Sequence, residues 1–77
     1  MKEERYGKLE YSMYDEAAKG LVDALEENGI TYYISCTLFG DGRAIHVAGI
    51  SDDRLEELYN NFVDAHLAVR DWKEERS

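Results

Sequence analysis

Cys36, His46 and His66 are the only thiol and imidazole side chains in this 77-residue sequence, and they bound the metal and nucleophile chemistry it could carry. Zinc sites use ligands at C-x-x-C or helical i, i+3 and i+4 spacings, and none of these three residues has such a neighbour. Nucleophilic catalysis would need a hydroxyl or thiol beside a histidine. Ser35 and Thr37 fall close to His46 if residues 30–50 form a hairpin, but no nucleophile elbow or third orienting group accompanies them. Gly40-Asp41-Gly42 is too short and too acidic to cradle a phosphate. The expectation is a protein without catalytic, cofactor or metal residues.

Carboxylates are the stronger chemical signal. Between Glu10 and Asp64 the chain carries twelve acidic residues against three basic ones, and the whole chain has a net charge of −8. Asp23, Glu26 and Glu27 form one group; Asp52, Asp53, Glu56 and Glu57 form another. Within each, i, i+3 and i+4 spacings put like charges side by side on a helix, where they repel. Lys19 and Arg54 are the nearby bases. Such a field repels nucleic acid and anionic membrane and attracts basic protein surfaces, and a charge of this size equally serves solubility in a small domain. Six tyrosines and Trp72 add side chains favoured at protein interfaces. Tyr14, Tyr32 and Tyr59 are expected to pack half-buried, whereas Tyr33 is the interface candidate.

The elements that must position these groups are legible from pattern. Residues 30–39 and 43–50 read as hairpin arms rich in β-branched and aromatic residues. With Asp41-Gly42 as a two-residue turn, Leu38 faces Ile45, Cys36 faces Val47 and Ile34 faces Gly49 on an apolar side. Phe39/Ala44, Thr37/His46, Ser35/Ala48 and Tyr33/Ile50 make up the other side. Before the hairpin, Tyr6–Tyr11 alternates as an edge strand weakened by Gly7. The spacing predicts a helix starting at Ser12, with Ser12 and Asp15 as a capping box and Met13, Ala17, Leu21 and Leu25 as its core stripe. Gly29 ends it. Ser51 caps a second helix with Leu55, Leu58, Tyr59, Phe62, His66, Val69 and Trp72 on its apolar side, uninterrupted for over twenty residues. Its last turns then overhang the core.

The expected fold is a single α+β domain over residues 1–77, a two-layer (β)αββα arrangement with a hairpin or three-stranded antiparallel sheet covered on one face by two helices. Residues 1–10 are a flexible lead or edge strand, and 72–77 a fraying helix end. Cys36, alone and assigned to the core, suits a reducing cytoplasm. No apolar run has membrane-spanning length.

In size, charge and lack of catalytic motif, the chain resembles the small acidic inhibitors encoded by phages and mobile elements, of the anti-CRISPR and DNA-mimic type. No family motif is matched. The resemblance implies a non-catalytic interaction protein whose carboxylates, with Tyr33, occupy the basic groove of a nucleic-acid-handling partner, with no direct contact to nucleic acid. The alternative is a small regulatory or ligand-binding homo-oligomer, such as a homodimer, that buries its sheet face or helix overhang against a second copy.

Overall fold

The computed structural model describes residues 5–38, 40–61 and 64–75. It is an α+β domain with a three-stranded antiparallel sheet. The elements run β1 (Tyr6–Ser12), α1 (Glu16–Glu27), β2 (Tyr32–Cys36), β3 (Gly42–Ala48), α2 (Asp52–Asn60) and α3 (Ala65–Glu75). The strand order is β1-β3-β2, so the hairpin's second arm is inserted between β1 and β2. Central β3 has the two most deeply buried sheet side chains, Ile45 and Val47. They meet Leu21, Ala24 and Leu25 of α1, Leu55 and Leu58 of α2, and Ala65, Val69 and Trp72 of α3 in one core. Each large apolar side chain buried there contributes on the order of 1.5–3 kcal/mol of transfer free energy.

Gly7 has a structural job that its strand propensity hides. A Cβ built on it would stand 2.7 Å from the Ile50 carbonyl oxygen and 3.0 Å from that of Ser51. Glycine therefore lets the chain entering α2 lie directly against β1. Gly29, at φ 70°, supplies the left-handed turn after α1 as its position predicts.

Several boundaries differ from the sequence reading. The hairpin register is displaced by four residues: Tyr32 faces Val47, Ile34 faces Ile45 and Cys36 faces Arg43. An even displacement preserves the sides of the residues within β2 and β3 while changing every neighbour. Gly49 is the cause, because at φ 78° it turns the chain out of the strand and cannot pair with Ile34. Leu38, expected on the core side, lies beyond β2 and is fully exposed, and Ile50, expected on the outer side, is buried in the core. The connection is longer than two residues and is closed by the Thr37 amide donating to the Gly42 carbonyl at 3.2 Å. Phe39 and Phe62 lie outside the described residues.

Helix α1 begins at Glu16 rather than at Ser12, since Ser12 is held in β1 opposite Gly42. Asp15 is the N-cap, accepting from the Ala17 and Ala18 amides at 2.9 and 3.3 Å. Met13 and Tyr14 consequently leave the core stripe, and Tyr14 is 68% exposed. The expected single long second helix is two helices. Asn61 caps the end of α2, and the Asp64 carboxylate accepts the Leu67 amide at 3.0 Å at the start of α3. Asparagine and aspartate bond readily to nearby backbone and favour such breaks. Folding back places Val69 and Trp72 in the core, so no apolar helix end overhangs.

Candidate protein-interaction surface

All seven carboxylates singled out from sequence are exposed, but they lie on two flanks of the sheet. Asp23 and Glu26 stand on the β2 side. There they add to burial in raising the Tyr32 hydroxyl above its ordinary pKa, burial being the larger cause. The α2 group stands on the β1 side, where the Asp52 carboxylate accepts the Lys8 amide at 2.8 Å. Asp52 thus docks α2 against the outer edge of β1.

Some of the acid has a local partner. Glu27 pairs with His66 of α3 at 2.6 Å, so His66 is an exposed partner and not part of the apolar stripe. Arg54 reaches Glu57 at 3.0 Å and Glu75 at 2.7 Å. The hydrogen bond to Glu57, with the charges of both carboxylates, raises its already high pKa. Among the described residues, no cation lies within ion-pair distance of Asp23, Glu26, Asp53 or Glu56.

Tyr33 sits on the sheet face that no helix covers, 52% exposed. Its ring stacks on His46, directly opposite, at 4.3 Å and 10°. Tyr6 of β1 leans on Tyr33 with centroids 5.5 Å apart. Tyr6 also lines a recess of about 380 Å³ with Arg5, Ser51, Asp52 and Asp53. Tyr33, Tyr6 and the first turn of α2 therefore form one continuous surface, with Glu56 a turn further on. Sequence reasoning missed Tyr6 because the connection depends on β3 lying between the two tyrosine-bearing strands.

Below the rings, Ser35 Oγ and His46 Nε2 are 3.1 Å apart in a larger open recess of about 750 Å³, with Lys8, Glu10 and Thr37 among its lining. Thr37, expected opposite His46, is in the loop instead. The ring stack and the serine contact hold the imidazole in place. Cys36 is exposed at the end of β2, correcting its assignment to the core. Ile34, on the same strand face, is 43% exposed because α1 does not reach over this edge. Among the described residues, no three His, Cys, Asp or Glu side chains form a metal-ligand cluster, and no helix is long and apolar enough to cross a membrane.

No protein-family model, curated protein or solved structure matches this chain.

Proposed function

We propose that this chain is a non-catalytic, acidic interaction protein of the cytoplasm that inhibits a nucleic-acid-handling partner by occupying its basic binding surface. The carrying observation is the run from Tyr33 through Tyr6 to the first turn of α2, where Asp52 and Asp53 share a recess with Tyr6 and Arg5. Neither Asp53 nor Glu56, a turn further on, is in ion-pair distance of a cation among the described residues. The exposed Tyr33 ring, joined through half-buried Tyr6 to carboxylates, suits arginine, whose guanidinium stacks on aromatics and pairs with carboxylate simultaneously. Two aspartates in the first turn also favour the α2 dipole. Glu56 lies beyond that turn, beside Asp52 and Asp53 at helical spacing. Like-charge pairs there cost about 0.2–0.5 kcal/mol each, which a basic partner would offset.

Immobilised protein challenged with purified basic nucleic-acid-binding proteins of its own cell tests this reading. A true partner is displaced by duplex DNA and dissociates steeply as salt rises from roughly 50 to roughly 200 mM. Retention that ignores both DNA and salt would refute an electrostatic mimic.

A further inference from the structure

We propose that β2 is a dimerisation edge, pairing antiparallel with β2 of a second copy about a two-fold axis beside Ile34 to give one continuous six-stranded sheet. The two outer strands of the monomer are treated very differently. Thr31 and Thr37 bond to β3 at 3.0 and 3.2 Å. By ladder alternation, Tyr33 and Ser35 do so too, while Tyr32, Ile34 and Cys36 turn their N–H and C=O groups away from the sheet. No described residue meets those outward groups in a ladder or backbone bond.

On β1, by contrast, the outward Lys8 amide is taken by Asp52, and Lys8 and Glu10 place an ion pair at 3.5 Å along the strand. Charge and cover of that kind keep edges from pairing. The stretch from Thr31 to Leu38 carries no charge at all.

The occupant follows from the charges bordering this edge. Asp23 and Glu26 stand at its Tyr32 end. Arg43 faces Cys36 toward the other end, where Asp41 also lies. Lys19, one turn before Asp23 on α1, lines the same groove as Arg43, leaving that end net basic. Antiparallel pairing about Ile34 sets the acidic end of each copy against the basic end of the other, with Ile34 facing Ile34 and Tyr32 facing Cys36. An isologous interface requires this self-complementarity. A groove of about 360 Å³ beside the edge, lined by Met13, Val22 and Ile34 together with Asp23, Lys19 and Arg43, lets exposed apolar side chains of the two copies meet. Tyr6 and α2 stay clear of the seam, on the far side of β3, whereas Tyr33, being on β2 itself, comes to stand beside the Ser35 of the second copy.

Sedimentation equilibrium at physiological salt should show wild-type chain at twice its monomer mass. Ile34→Lys should run at the monomer mass with unchanged circular dichroism. In a Cys36→Ser background, Ile34→Cys places two thiols across a hydrogen-bonded pair at about 5.5 Å between Cα atoms, a separation that disulfides accept. Mild oxidation should crosslink it, while Tyr14→Cys in the same background stays uncrosslinked. A wild-type monomer at several hundred micromolar, a dimer that survives Ile34→Lys, or failure of Ile34→Cys to crosslink would each overturn the proposal. Partner binding is scored separately, because Ile34→Lys leaves Tyr6, Asp53 and Glu56 unaltered.

Discussion

Asp15 joins two parts of the molecule through one carboxylate. One oxygen caps α1, and the other accepts the Tyr59 hydroxyl of α2. The tyrosine bond, foremost, and the capping amides hold the Asp15 carboxyl below its ordinary pKa against the opposing effect of burial. The same bond raises that of Tyr59. A lowered carboxylate pKa stabilises the fold above the unfolded value of about 4 and is lost as pH falls through the folded value. A raised phenol pKa stabilises below about 10 and is lost as pH rises through the folded value.

Tyr59→Phe should therefore lower stability at neutral pH by about 1 kcal/mol, below the range for a buried charged hydrogen bond because the site is partly exposed. Asp15→Asn should keep the cap and flatten the acid limb of the stability profile. Urea titrations of each variant at pH 3, 5 and 7 measure both effects. Equal losses for Asp15→Asn at all three would contradict this assignment. The sequence pointed to Ser12 and Asp15 together as a cap. Which of them served could not be read locally, because Ser12 is claimed by its pairing to Gly42 across the sheet.

At the scale of elements, β1 is only weakly signalled by its alternation, yet it pairs along β3 from Tyr6 to Ser12. Gly7, which weakened it on propensity, is required by the close approach of Ile50 and Ser51. Gly7→Ala should cost about 1–3 kcal/mol through overpacking, a fall of several degrees in melting temperature; an unchanged midpoint would contradict the contact. The break between α2 and α3 was hidden because the apolar spacing continues past Asn60-Asn61 without proline or glycine. What decides it is tertiary: Val69 and Trp72 gain a buried site against α1 by turning back. Asp64→Ala should then remove about 1 kcal/mol of capping, checked by thermal melting. Side assignments are legible from alternation within β2 and β3 but fail at Leu38 and Ile50, which lie beyond the paired strands. Neighbours are not legible, since the turn alone does not reveal where Gly49 leaves the strand.

For the whole molecule, the net charge of −8 does not by itself mark which surface a partner would use. Two acidic groups read as equivalent are separated by the sheet. They differ in setting: one borders an uncharged strand edge with cations at its far end, and the other adjoins a pair of tyrosines. That division fits a molecule that uses one flank to pair with itself and the other to engage a basic protein. The most direct measurement is the affinity of a purified basic partner for the doubly reversed variant Asp53→Lys/Glu56→Lys, followed in parallel with its circular dichroism. The account predicts at least a tenfold weaker complex, about 1.4 kcal/mol, with an unchanged fold. Undiminished affinity in a folded variant would contradict it.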